Sequence, residues 1–143
     1  DKKGKKDKDK DKDKAQKNLK KLVHFFDKNA SLQKRFKSLC SYNERASPDE
    51  LNKFFNENFY MIYGVFLDQF SAYEAGCKKG KHSQTDVLDL LSILKLVLVH
   101  LTELVRKRWQ LRSISSVLEK VLYKENKPVV RQVGFELLLL FLE

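Results

Sequence analysis

One short stretch of the sequence combines glycines, lysines and a hydroxyl residue, the residue types that cradle phosphate in nucleotide-binding loops. Residues 76–83 read GCKKGKHS. A nucleotide loop requires the pattern GxxxxGK followed by Ser or Thr, placed between a strand and a helix. Here three residues separate Gly76 from Gly80, and His82 follows Lys81. We therefore interpret the stretch as a helix-to-helix loop, in which glycine can adopt positive φ.

Histidine and cysteine, the common ligands of transition metals, are few and dispersed. His24, His82 and His100 stand far apart in the chain. His100 and Glu103 share a helix face at i, i+3, but one such pair supplies only two ligands. Cys77 and His82 likewise lack the partners that complete a tetrahedral site. The sequence predicts no metal, no cofactor, no catalytic residue and no enzyme activity.

A third stretch, VRKRWQLR at residues 105–112, holds the only tryptophan of the chain among four cations. Two interpretations stay open. Cations suit the negative end of a helix dipole, and the indole could close the corner between two helices. Trp and Arg are also enriched in the hot spots of protein interfaces. The candidate partner-binding residues are therefore Arg106, Arg108, Trp109 and Arg112.

The positive charge of the chain is concentrated near its beginning. The formal net charge is +10, but residues 1–40 hold fifteen Lys/Arg against six Asp, and residues 41–143 hold fourteen against thirteen acidic residues. Residues 1–14 alternate Lys and Asp and offer no apolar side chain to bury, which predicts a disordered leader. As an alternative function, residues 1–40 could recruit an acidic membrane or nucleic acid. The interleaved Asp weakens this attraction, which argues against nucleic acid and leaves only peripheral electrostatic attachment to a membrane.

Cysteine content and hydropathy indicate the compartment. Cys40 and Cys77 in a chain of 143 residues do not form a disulfide framework, which is typical of a reducing, cytoplasmic environment. The longest apolar run, residues 87–105, is not expected to span a membrane, because it contains four polar residues: Asp89, Lys95, His100 and Glu103.

The elements that must position these residues are all expected to be helices. The chain has two prolines, five glycines and no clear alternation of polar and apolar residues. About five helices are predicted: residues 15–40 with a break near 29–31, a helix starting at the SPDE sequence of residues 47–50, residues 85–107 capped by Ser83 or Thr85, residues 111–124, and a last helix from Pro128.

The hydrophobic faces of these helices are broad. The second helix carries an aromatic stripe that is interpreted as core, and the third is apolar on nearly all sides, so it needs neighbours on both flanks. Such helices suit an α-solenoid of the HEAT or armadillo type, or a bundle-like segment. We expect residues 15–143 to form one scaffold segment that is truncated at its C-terminus. The aromatic stripe consists of Phe55, Phe59, Ile62, Phe66, Phe70 and Tyr73.

Several stretches resemble one family. Residues 52–91, NKFFNENFYMIYGVFLDQFSAYEAGCKKGKHSQTDVLDLL, are similar to the N-terminal region of the Ral GTPase-activating protein α subunits, relatives of tuberin. The similarity continues through RWQLRSISSVLEKVL at residues 108–122 and RQVGFELLLLFLE at residues 131–143. It covers roughly residues 45–143, and the Lys/Asp leader carries none of it.

The resemblance implies a function without catalysis. In this family the GTPase-activating domain lies far downstream, where a catalytic asparagine acts on the nucleotide of the bound GTPase, and no position here matches it. The resemblance implies a cytoplasmic helical scaffold that supports complex assembly or regulation of small-GTPase inactivation. It also implies protein partners: a large β subunit, and Ral through the parent protein.

Overall fold

The computed structural model describes residues 2–80 and 84–143, and all regular secondary structure in these two ranges is helical. The all-α prediction is therefore confirmed, whereas the solenoid arrangement stays a prediction. The described ranges contain nine helices rather than about five: α1 (Lys2–Lys20), α2 (Val23–Phe26), α3 (Leu32–Arg45), α4 (Pro48–Glu57), α5 (Phe59–Lys78), α6 (Gln84–His100), α7 (Thr102–Arg106), α8 (Leu111–Val121) and α9 (Pro128–Leu142).

The chain divides into two compact units, Asp1–Phe54 and Phe55–Glu143. In the first unit, α3 packs against α1 and α2. Aromatic rings meet edge-to-face around Phe54, whose ring centroid lies 5.6 Å from that of Phe25 and 4.9 Å from that of Tyr42. Such arrangements favour the ring quadrupoles and add to the burial of apolar area.

The N-terminal residues differ from the disordered leader that was expected at residues 1–14, because α1 begins at Lys2. Lysine is a good helix former, so these residues can be helical although they have no apolar side chain to bury. The side chains of residues 8–14 are exposed. This part of α1 adds nothing to the core, and the domain boundary near residue 14 stays a prediction.

Serine caps two of the helix starts, of which the one at Ser47 was predicted. The Ser47 hydroxyl accepts a hydrogen bond from the Glu50 N–H at 3.2 Å, as the SPDE sequence indicates. Ser31 caps α3 in the same way and accepts from the Lys34 N–H at 3.2 Å. The break expected near residues 29–31 is therefore confirmed. The proposed cap Ser83 lies outside the described residues.

Two predicted helices are each divided by a break. The helix from residue 48 ends at Glu57 and resumes at Phe59, because Asn58 adopts φ −130° and ψ 27°. The helix expected at residues 85–107 is interrupted at Leu101, with φ −110° and ψ 32°. The Thr102 hydroxyl there donates to the carbonyls of Leu98 at 3.2 Å and Val99 at 2.9 Å. Such back-bonding by threonine bends helices.

In the second unit, α6 packs against both α5 and α9, and α8 packs against α9. This confirms that the very apolar α6 is covered by more than one neighbour. The aromatic stripe of α5 contributes Ile62, Phe66 and Phe70 to the core, which confirms its interpretation as packing. The buried residues of α6 are Val87, Leu90, Leu91, Ile93, Leu94, Val97 and Leu98.

Helices α8 and α9 approach closely at Gly134. A Cβ atom placed there would lie 2.5 Å from Val121 Cγ1. Gly134 is buried in the middle of α9, so the close approach explains a residue that otherwise lowers helix propensity.

Gly134→Ala is therefore expected to lower the free energy of unfolding by about 1–3 kcal/mol, because the added methyl overpacks the contact. Urea denaturation measures the change. Gly64→Ala is the matched control: a Cβ at Gly64 meets nothing within 4 Å, so that variant should gain about 0.5–1 kcal/mol from helix propensity. In a Val121→Ala background, Gly134→Ala should cost less than it does in the parent, because the Val121 methyl that the new Cβ would meet is gone. A Gly134→Ala protein as stable as the parent would contradict the close approach.

Candidate protein-interaction site

The candidate residues lie where α7 ends and α8 begins, and the backbone there closes in a Schellman motif. The Arg108 N–H donates to the Val105 carbonyl at 3.0 Å, and the Trp109 N–H donates to the Leu104 carbonyl at 3.0 Å. These bonds satisfy carbonyls that a helix end would otherwise leave unpaired. The motif fixes the direction in which the chain leaves α7.

Two residues at this corner, neither of them glycine, adopt the left-handed backbone conformation. Arg108 has φ 67° and Gln110 has φ 55°. The left-handed conformation costs an L-residue about 1–2 kcal/mol. It persists because Gln110 also starts α8, where its carbonyl accepts from the Ile114 N–H at 2.9 Å. The corner around Trp109 is thus held by its hydrogen bonds against local strain.

The Trp109 ring is half-buried and packs against two aromatic residues of α5. Its centroid lies 5.7 Å from that of Phe59, nearly perpendicular, and 5.2 Å from that of Tyr63. The Tyr63 hydroxyl in turn lies 2.7 Å from the Ser113 hydroxyl on α8. Burial raises the pKa of Tyr63 above its ordinary value, so the phenol stays neutral. Trp109 and Tyr63 together join the α7–α8 corner to α5, as the corner interpretation expects.

The three candidate arginines are exposed, in contrast to Trp109. Arg106 Nη1 lies 3.6 Å from Glu103 Oε1, with both side chains largely in solvent. A surface pair of this kind contributes little stability. The arginines are therefore available to a partner at little cost to the fold.

A groove of about 610 Å³ brings two of the four candidates together with the end of α9. Arg106 and Arg108 line it, whereas Trp109 turns towards α5 and Arg112 is exposed on α8. Its apolar lining includes three exposed side chains: Val99, Leu111 and Leu142. Sequence reasoning missed the groove because Leu142 joins it from a helix about thirty residues away. The pattern that could have indicated it is the excess of apolar residues on α9.

The other residues that could carry chemistry, Glu103, His100 and Cys77, interact with neighbouring residues of the fold. The Glu103 carboxylate pairs with Arg106, and the His100 carbonyl accepts from Asn56 Nδ2 at 3.1 Å. Burial lowers the pKa of His100, which favours the neutral ring at neutral pH. Burial raises the pKa of Tyr73 to about 12, and the neighbouring Cys77 adds to the rise.

The described part of the chain contains neither a candidate metal site nor a candidate membrane span. Residues 2–80 and 84–143 contain no group of three or more His, Cys, Asp or Glu that could hold a metal ion. Each helix in these ranges is too short or too polar to cross a bilayer. No disulfide joins Cys40 and Cys77. Lys81 and His82 of the GCKKGKHS stretch lie outside the described residues, whereas Gly80 has φ 70°, as a loop glycine can.

Comparison with known proteins identifies a family that matches this chain. Residues 4–143 match the family described as RALGAPA1 N-terminal domain. The chain is 39% identical over 111 residues to Ral GTPase-activating protein subunit alpha-1 of Sus scrofa, which covers 76% of this chain and 33% of that protein. The same identity holds for the Homo sapiens protein, of which 6% is covered. Subunit alpha-2 of Mus musculus is 34% identical over 112 residues, again 6% of its length.

The matched region is thus a third or less of each of these relatives. No solved structure matches the chain.

Proposed function

The chain belongs to the RALGAPA1 N-terminal domain family, and from this premise we propose that it is a non-catalytic, protein-interacting scaffold region of a Ral GTPase-activating protein α subunit. It acts in the cytoplasm and supports assembly or regulation of a complex that inactivates small GTPases. The partner proposed first is the β subunit of that complex. Ral is contacted through other parts of the parent protein.

The groove beside the α7–α8 corner is the observation that supports this proposal. Soluble surfaces usually expose apolar side chains singly, and contiguous apolar patches mark contact sites. Here Val99 and Leu111 are exposed at 46% and 41% and line the same groove as Leu142, with Arg106 and Arg108 beside them. An apolar centre with arginine at its edge is typical of protein interfaces.

Deletion of residues 15–143 from the full-length α subunit tests the proposal. Co-precipitation of the β subunit is expected to fall at least about ten-fold, since a central apolar contact is commonly worth 2 kcal/mol or more. In the full-length protein, Val99→Asp with Leu111→Asp should reproduce much of the loss. Tyr60→Asp is the matched control, because Tyr60 is 79% exposed and does not line the groove. Undiminished assembly after the deletion would refute the assembly role.

A separate assay with the purified chain shows whether the region itself activates a GTPase. Groups inserted beside the γ-phosphate accelerate hydrolysis by about 10³ to 10⁵. Purified chain added in excess to GTP-loaded Ral should leave phosphate release at its intrinsic rate, because the region is proposed to lack the activating domain. A rate that rises in proportion to added chain would overturn the non-catalytic assignment while leaving the assembly result untouched.

A further inference from the structure

A second surface, in the unit Asp1–Phe54, concentrates positive charge around a recess of about 410 Å³. Its lining comes from α1, the turn after it, α2 and α3, and consists of four lysines, one histidine, two serines and a valine. Residues 15–45 hold eight Lys/Arg against two acidic residues. The basic residues of the recess are Lys20, Lys21, His24, Lys34 and Lys37.

A buried hydroxyl holds the lysines from the two sides of the recess together. Ser38 on α3 accepts a hydrogen bond from the Phe25 N–H at 3.2 Å and donates to the Lys21 carbonyl. These bonds tie the turn that carries Lys21, directly after Lys20 at the end of α1, to the helix that carries Lys34 and Lys37. The like charges are therefore brought together by the fold, at a cost in mutual repulsion that a bound anionic surface would relieve.

Neighbouring charged groups are engaged elsewhere, which separates the recess from ordinary surface charge. Arg35 donates from Nε to the Phe25 carbonyl at 3.0 Å and lies over the Phe25 ring. Asp27 accepts from the Asn29 N–H at 2.9 Å within its own turn. Among the described residues that line the recess, none is acidic.

The same segment exposes three large apolar side chains. Leu19, Val23 and Phe26 are 54%, 62% and 45% exposed, and Val23 itself lines the basic recess. Leu22 and Phe25, which lie between them in sequence, are buried at 1% and 0%. The segment therefore turns one apolar set inward and exposes another, of which Val23 lies beside the lysines.

We propose that this basic and apolar face docks peripherally on an anionic membrane surface. The lysines contact headgroup phosphates, and Leu19, Val23 and Phe26 enter the boundary with the acyl chains, as in interfacial amphipathic segments. Nucleic acid explains the lysines but gives aliphatic Leu19 and Val23 no role, because base recognition uses stacking rings and polar groups. This binding goes beyond the proposed scaffold function and does not depend on it.

Charge and apolar contributions can be separated by substitution. A lysine near an anionic bilayer contributes about a five-fold factor in affinity. Changing Lys20, Lys21, Lys34 and Lys37 to Gln should therefore weaken binding by about 100-fold or more. Leu19→Gln with Val23→Gln should weaken it by about 10-fold, since less apolar surface leaves water.

The experiment is co-sedimentation of the 143-residue chain with vesicles of phosphatidylcholine and phosphatidylserine in a two-to-one ratio, against vesicles of phosphatidylcholine alone. The parent should bind the mixed vesicles and lose affinity, without losing it entirely, as NaCl is raised. Added inorganic phosphate at constant ionic strength should not displace it. Displacement by phosphate would indicate a site for a free anion and overturn docking on a membrane.

Matched variants test whether the proposed residues carry the binding. Changing Lys8, Lys10, Lys12 and Lys14 of α1 to Gln removes the same charge and should alter affinity by no more than about 5-fold. Val129→Gln with Leu139→Gln matches the apolar change at residues exposed to 40% and 53%. An equal loss in either control would show diffuse attraction and overturn the proposal. Thermal unfolding of each variant confirms that it is folded.

Two other occupants give distinct results. If the face bound a second copy of the chain, the mass measured by light scattering would double and Val23→Gln would return it to the monomer. If it bound nucleic acid, a short DNA duplex would compete with the vesicles at stoichiometric concentration. Either result, or no preference for the anionic vesicles, overturns membrane docking. A monomer that the duplex does not displace supports it.

Discussion

Trp109→Ala is expected to lower the free energy of unfolding by about 3 kcal/mol, the lower end of the range for buried Phe and Trp. The lower end applies because the indole is half-buried, although its ring meets both Phe59 and Tyr63. Removing it exposes the stripe of α5 and loosens the corner between α7 and α8. Chemical denaturation followed by circular dichroism measures the loss.

Arg108 supplies the control for this prediction. Arg108→Ala keeps an L-residue at φ 67° and should change stability little. Arg108→Gly should stabilise the protein by about 1 kcal/mol, because glycine adopts the left-handed conformation freely. If Trp109→Ala instead unfolds like the parent but abolishes capture of the β subunit, the ring acts as an interface anchor and the corner interpretation is wrong.

Leu94→Ala is expected to cost about 4 kcal/mol, within the range for fully buried leucines. Leu94 is 0% exposed on α6, the helix that packs against both α5 and α9. Neighbours on both flanks limit how far the structure can collapse into the cavity, so the loss should lie above the middle of the range.

Leu139→Ala on α9 is the matched leucine substitution. Its side chain is 53% exposed, so its removal should change stability by no more than about 0.5 kcal/mol. Similar losses for the two variants would mean that α6 is not the centre of its unit. A loss at Leu139 alone would mean that the exposed face of α9 is covered in solution.

The helical class and the capped start at Ser47 could be predicted from the sequence, because both depend on local chemistry. Near Ser31 only the break was predicted, and the cap it provides for α3 was found in the structure. The breaks at Asn58 and Leu101 were missed, because neither position carries the glycine or proline that usually marks an interruption. Tertiary packing decides such breaks, and a buried leucine gives no sign of one.

In the candidate sites, too, the local features could be predicted from the sequence and the features that depend on tertiary packing could not. The clustering of Arg106, Arg108 and Trp109 was visible in the sequence, but its separation into exposed cations and an inward ring depends on α5. The groove also needs Leu142 from α9. The basic recess needs Lys34 and Lys37 from a helix that follows a turn, so a count of charge over residues 1–40 could suggest attraction but could not place it.

The hydrogen-bonded corner between α7 and α8 has a consequence for dynamics. Helix junctions are commonly where a chain opens locally and where exchange and proteolysis begin. Here the amides of Lys107, Arg108, Trp109 and Leu111 all donate to backbone carbonyls within the corner. Deuterium should therefore enter these amides only when α7 and α8 open together, which makes the corner part of one cooperative folding unit rather than a hinge.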